Sequence, residues 1–156
     1  MSMLNEKEMP PVCDLVPHDG EMVLLDRVLS ADDENLCAQV SIRPETLFCE
    51  TSGVGAWVGI EYMAQAIAAH AGYLAQLRGE PVKVGFLLGS RRYECSQPIF
   101  ALGCILHIHV HKALQGDNGL GAFECQISDS ASGTSLANAT ITVFQPNNVK
   151  DFLQRS

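Results

Sequence analysis

Glu61 is the residue whose surroundings most need explaining. It stands within Trp57-Val-Gly-Ile-Glu-Tyr-Met-Ala-Gln65, an otherwise apolar run. A carboxylate near the start of a helix can face solvent and complement the positive end of the helix dipole. It can equally point into a mostly apolar pocket, where desolvation suits a carboxyl to general acid or base work. Spacing alone leaves both readings open. Gln65, one turn later, shares that face and either hydrogen-bonds the same ligand or faces water. Upstream, Ser52-Gly-Val-Gly-Ala56 is a small-residue loop feeding the helix. There the backbone N–H groups of Val54, Gly55, Ala56 and Trp57 could meet a carbonyl oxygen that gains negative charge, although glycines also precede helices for turn reasons alone.

Three histidines, His107, His109 and His111, alternate along one segment and therefore share a face of a strand. Cys104, Leu106, Ile108 and Val110 make the opposite, apolar face, which should meet the helix and leave the histidines on the far side. Same-face strand positions do not by themselves close a coordination site, so no metal is expected. His18, in Leu15-Val-Pro-His-Asp-Gly20, reads as a loop residue, and His70, among helical alanines, as a packed or dimer-facing one. Arg91 and Arg92 are the adjacent basic pair, fitted either to an acidic partner or phosphate or to a solvated strand edge.

The elements that must position these residues follow from periodicity. Glu21–Leu29 and Asn35–Ile42 read as a hairpin turned by Ser30–Glu34. Trp57–Leu77 changes to helical spacing, with Ile60, Met63, Ala64, Ile67, Ala68, Ala71 and Leu74 on one stripe. Four further strands are predicted over Lys83–Glu94, Ala101–Lys112, Leu120–Ser128 and Ser135–Phe144. One long helix, about 30 Å if fully formed, beside a largely antiparallel sheet gives an α+β fold. The 156 residues, 47% of them hydrophobic, suit a single domain whose residues 1–16 form a loose N-terminal arm.

A net charge of -8 removes the basic surface that nucleic acid would need. No apolar run is long enough to span a bilayer and no leader is evident, so a cytoplasmic protein is expected. The six cysteines form no CxxC pair and sit mostly in apolar segments, against disulfides and structural zinc.

Three segments, in order, resemble the 3-hydroxyacyl-acyl carrier protein dehydratases of the hotdog superfamily, the ApeP-like thioester dehydratases included. Leu15-Val-Pro-His-Asp-Gly-Glu-Met-Val-Leu-Leu-Asp-Arg-Val28 is similar to that family's opening LPHxxPxLLxDRV segment. Gly59-Ile-Glu-Tyr-Met-Ala-Gln65 is similar to its IEAMAQ helix motif, and the strands from Gly85 through Phe144 follow its closing sheet. The resemblance implies a hotdog fold, a curved antiparallel sheet wrapped around the helix. It implies Glu61 as the catalytic acid and a homodimer with acyl tunnels at the subunit interface. No cofactor is implied, the substrate riding on the phosphopantetheine of an acyl carrier protein or coenzyme A. A higher oligomer or a complex with another biosynthetic subunit is the variant of that expectation, and Trp57, Phe86 and Phe123 are the candidates for setting tunnel depth.

The resemblance also exposes a departure. The family supplies a histidine base from the loop before the helix, and the corresponding positions here, Leu47 or Gly53, are not histidine. General-base help is typically worth about 10²–10⁴-fold. Three explanations follow: His18 reaches the pocket, Glu61 works with an ordered water, or acyl groups are bound without being dehydrated. The expected activity is dehydration of a 3-hydroxyacyl thioester in fatty-acid or polyene-type biosynthesis. A hotdog thioesterase, in which a helix carboxylate activates water, and a non-catalytic acyl-binding subunit are the alternatives.

Overall fold

The computed structural model describes residues 9–16, 23–80, 86–116 and 118–144. β1 (Arg27–Ala31) and β2 (Asn35–Ser41) form the expected antiparallel hairpin. Asp32 closes its turn, its Oδ1 accepting the N–H groups of Glu34 at 2.9 Å and Asn35 at 2.8 Å. A short aspartate is suited to this because its carboxylate reaches its own chain two or three residues on. Two short strands follow, β3 (Cys49–Glu50) and β4 (Gly53–Gly55), then the long helix α1 (Gly59–Leu77). The rest is β5 (Phe86–Cys95), β6 (Ile99–Ala101), β7 (Ile105–Gln115), β8 (Leu120–Asp129) and β9 (Ser135–Phe144).

Six strands make one antiparallel sheet in the order β1-β2-β7-β8-β9-β5, and β3-β4-β6 make a second, small one. The large sheet wraps around α1, the hotdog architecture. Period-two alternation decides which face is inside. Leu36, Ala38 and Val40 of β2, Leu106, Ile108 and Val110 of β7, and Phe123, Cys125 and Ile127 of β8 are buried. So are Ala137, Ala139 and Ile141 of β9. The registers Ala38↔Ile108 and Ile108↔Ile127 stack these residues on one face, so a one-residue slip would turn the set into solvent. Each large side chain so buried contributes about 1.5–3 kcal/mol.

The buried stripe of the helix matches the expected one only in part. Met63 and Ile67 are buried as expected, together with Tyr62, Ala66, Ala69, His70 and Tyr73, whereas Ile60, Ala64, Ala68, Ala71 and Leu74 are only half-buried. Tyrosine and histidine count as polar in a hydrophobicity pattern, yet their rings offer large apolar bodies, and that surface wins the interior position. His70 is 1% exposed and satisfies its imidazole by donating from Nε2 to Asp32 O at 2.9 Å. Its ring meets Phe123 edge-on at 6.0 Å, which makes Phe123 a core residue here.

Four expectations are corrected. Residues 9–16 are not loose: a 3-10 turn over Val12–Asp14 seats Val12, Leu15 and Val16 in the core. Leu15 lies against Gly72, where a Cβ would overlap the Leu15 carbonyl oxygen. The first strand begins only at Arg27. The predicted Ala101–Lys112 strand divides into β6 and β7 at Gly103, whose φ of 89° breaks the extended run. Finally, the loop assigned to residues 52–56 contains β4, held between β3 and β6.

Candidate active site

The entry to α1 is built by three contacts. A 3-10 turn over Ala56–Val58 leads from β4 into the helix. The Ala56 N–H donates to Pro98 O at 2.9 Å, and the Tyr93 hydroxyl donates to Ala56 O. Gly59 sits directly beneath that hydroxyl. A Cβ there would overlap the Tyr93 oxygen and stand 3.0 Å from Ile127 Cδ1 and 3.2 Å from Phe100 Cζ. Only glycine lets the helix start this close to the sheet.

This geometry commits two of the four amides expected to be open, those of Val54 and Ala56. Val54 is fully buried in β4, paired with Cys49 on one side and Phe100 on the other, and Gly55 pairs with Ile99. The Ala56 N–H is committed to Pro98. Small residues serve close packing here, since a Cβ at Gly53 would overlap the Phe100 carbonyl oxygen. Trp57 differs: its side chain is 68% exposed and leans on Phe48 with ring centroids 5.4 Å apart. Phe48 adopts a φ of 69°, a left-handed backbone unusual for a bulky residue.

A cleft of about 570 Å³ opens beside this turn, lined by Ala56, Trp57, Ile60, Tyr93, Cys95 and the Ser96–Pro98 turn. Its size suits a small-molecule chain. Glu61, half-buried in the first turn of α1, does not line this cleft, whose helix wall is made by Trp57 and Ile60.

Gln65 does not present its carbonyl to a ligand. It is fully buried, and its Oε1 accepts the Leu24 N–H at 2.8 Å, tying the chain after residue 22 to the helix. His18 lies outside the described residues, as does the Phe86 side chain. The segments on either side of residues 17–22 are both docked on α1, at Gly72 through Leu15 and at Gln65 through Leu24.

The described histidines are engaged elsewhere. His109 Nε2 and His111 Nδ1 lie 3.1 Å and 3.0 Å from Asn35 Oδ1, with His107 on the same outward face of β7. Asn35 Nδ2 donates to Asp32 Oδ1 at 3.2 Å, which fixes the amide so that its oxygen faces the two imidazoles. Burial pushes His70 and His109 below the usual histidine range.

Tyr93 escaped the sequence reading. Burial, then the neighbouring Cys95, holds its phenol far above the usual tyrosine range, so it stays a proton donor. The signal was present only as lost alternation around Ser-Arg-Arg-Tyr-Glu. There Arg92 is exposed, with a φ of 56°, and the β5–β9 register shifts between Arg91 and Glu94.

Comparison with known proteins agrees with this architecture. A family model described as ApeP-like, ApeP dehydratase, matches residues 10–154. Among solved structures, the chain is similar to one chain of the dehydratase heterocomplex ApeI:P from Xenorhabdus doucetiae. The two share 31% identity and a TM-score of 0.83 over 94% of this chain and 98% of that one. A hypothetical thioesterase from Streptococcus pneumoniae TIGR4, with coenzyme A, is 15% identical with a TM-score of 0.61, over 76% and 84% of the two chains. The Escherichia coli PaaI protein from the phenylacetic acid degradation operon is 14% identical with a TM-score of 0.58, over 78% and 79%. The last two share the fold. No curated protein matches the sequence.

Proposed function

The chain belongs to the ApeP-like dehydratase family, and from that membership we propose that it removes water from a 3-hydroxyacyl thioester to give the trans-2-enoyl thioester, with Glu61 as the acid. The family match over residues 10–154 carries this reading. Within it, Glu61 stands in the first turn of α1, next in sequence to Ile60 of the cleft wall.

In that reaction a base takes the α-proton, the C–O bond at carbon 3 breaks as the new double bond forms, and the Glu61 carboxyl protonates the departing hydroxyl as water. His18 is the base in this proposal. What supports it is the docking of both flanking segments on the helix that carries Glu61. The cleft between Trp57 and the Cys95–Pro98 turn would take the acyl chain and the phosphopantetheine arm of an acyl carrier protein or coenzyme A.

Similarity to a chain of a dehydratase heterocomplex supports a complex with another subunit. The edge strand β5 suits such a contact. It ends the large sheet, and among the described residues no strand pairs with its outer side. Ten residues of exposed ladder, about 33 Å, make a template for another chain's strand, in a homodimer or with a different subunit.

A second reading, a non-catalytic acyl-binding subunit, is favoured by one observation: neither Leu47 nor Gly53, before α1, is histidine. Mass spectrometry of 3-hydroxyacyl and 2-enoyl thioesters incubated with the protein separates the two. Loss or gain of water that disappears in both Glu61→Gln and His18→Ala establishes the dehydratase. Thioesters bound yet returned unchanged establish the binding subunit, and release of free thiol establishes a thioesterase instead.

A further inference from the structure

Opposed residues of an antiparallel pair share a face of the sheet. Ser90 pairs with Ile141 and Cys95 with Ala137, so Ser90 and Cys95 lie on the face of those buried partners, though both are themselves exposed at the sheet edge. Strict alternation from Ser90 would send Arg92 inward and Tyr93 and Cys95 outward. Between Arg91↔Thr140 and Glu94↔Asn138, however, β5 uses one more residue than β9, and Arg92 takes the left-handed backbone of a bulge. The parity therefore reverses. Arg92 is exposed to solvent, and Tyr93 swings under the start of α1. Bulges beside functional clefts commonly re-aim a side chain in this way.

We infer that Tyr93, delivered by the bulge at Arg92, is the positioning residue that sets where Glu61 stands at the start of α1. Its hydroxyl donates to Ala56 O while Pro98 O holds the Ala56 N–H, so the peptide entering the helix is gripped at both ends. The same hydroxyl occupies the space above Gly59 that a Cβ would need, which fixes the height of the first helical turn two residues before Glu61. Helix dipole and capping alone do not do this, because Val58 provides no side-chain cap. The inference rests on the dehydratase reading only for its kinetic readout.

The test uses the full chain as wild type, Tyr93→Phe, Tyr93→4-aminophenylalanine, Gly59→Ala and the double variant Tyr93→Phe/Gly59→Ala. Dehydration of a 3-hydroxyacyl carrier protein is measured together with thermal unfolding and the Glu61 carboxyl ¹³C resonance. Misplacing a catalytic group by about 1 Å costs on the order of 10²-fold, so Tyr93→Phe should lower kcat by about 10- to 100-fold. KM should stay within about two-fold, because the interaction supports the transition state rather than binding. The Glu61 resonance should move, and 4-aminophenylalanine, which keeps an N–H donor there, should restore both. Gly59→Ala should lose activity and stability, and removing the Tyr93 oxygen in the double variant should recover part of the stability.

An unchanged kcat and an unchanged Glu61 resonance in Tyr93→Phe would overturn the inference, as would a loss that 4-aminophenylalanine leaves unrescued. If wild type dehydrates no thioester, the dehydratase reading falls, and the Glu61 resonance by itself then decides the positioning role.

Discussion

Replacing Gly72 by alanine should destabilise this protein, although the same change in an exposed helix is ordinarily favourable by about 0.8–1 kcal/mol. The reason is the N-terminal segment lying across α1. A Cβ at 72 would overlap the Leu15 carbonyl oxygen and stand 2.7 Å and 2.8 Å from the Leu15 carbonyl carbon and Cα. These are backbone atoms, which cannot move aside by a rotamer change. One escape is to undock the segment. That would expose Val12, Leu15 and Val16, now no more than 5% exposed, at up to about 1.5–3 kcal/mol each. The cheaper escape is a shift of helix against segment, the overpacking case, at about 1–3 kcal/mol. After the propensity gain is subtracted, a net loss of up to about 2 kcal/mol remains. Urea unfolding reads it as a lower midpoint at an unchanged slope. Gly89→Ala is the control, since nothing lies within 4 Å of a Cβ there, and it should be neutral or slightly stabilising. A Gly72→Ala protein as stable as wild type would refute the packing described for Leu15.

Further outcomes follow from single contacts. Gln65→Ala removes the acceptor of the Leu24 N–H and should cost about 1–3 kcal/mol, with faster hydrogen exchange at that amide; unaltered exchange would count against the tether. The Tyr62 hydroxyl is buried without a hydrogen-bond partner among the described residues, so Tyr62→Phe should leave stability equal or higher by up to about 1 kcal/mol, and a lower melting temperature would contradict this. Burial lowers the His70 pKa, so the unfolded chain takes up protons first as pH falls. Stability is therefore full above about 6.5 and declines as pH drops below it, with His109 adding to the same slope. His70→Gln, which keeps a donor for Asp32 O, should flatten the slope below about pH 6.5 in urea midpoints; an equal slope in wild type and variant would remove His70 as its source.

What the sequence determined was whatever depends on neighbours along the chain. Period-two alternation in Asn35–Ser41 and Ile105–Gln115 specified which side chains are buried, and the outward placement of His107, His109 and His111 follows from it. The helix that carries Glu61 was legible too, from the change to helical spacing after Trp57. Tertiary structure decided whatever depends on distant partners. Gln65 looked like a ligand-facing residue because a side chain one turn from Glu61 shares its face, but Leu24, forty-one residues away in sequence, takes its oxygen. The small residues before α1 read as a loop, and the pairing of β4 with both β3 and β6 makes them a strand that uses the Val54 amide. Tyr93 was hidden for the same reason. Local periodicity assigns it to the outward face of β5, and only a bulge, visible solely as the register against β9, turns it inward. Alternation is a property of one strand, whereas register and the hydrogen bonds it permits are properties of two.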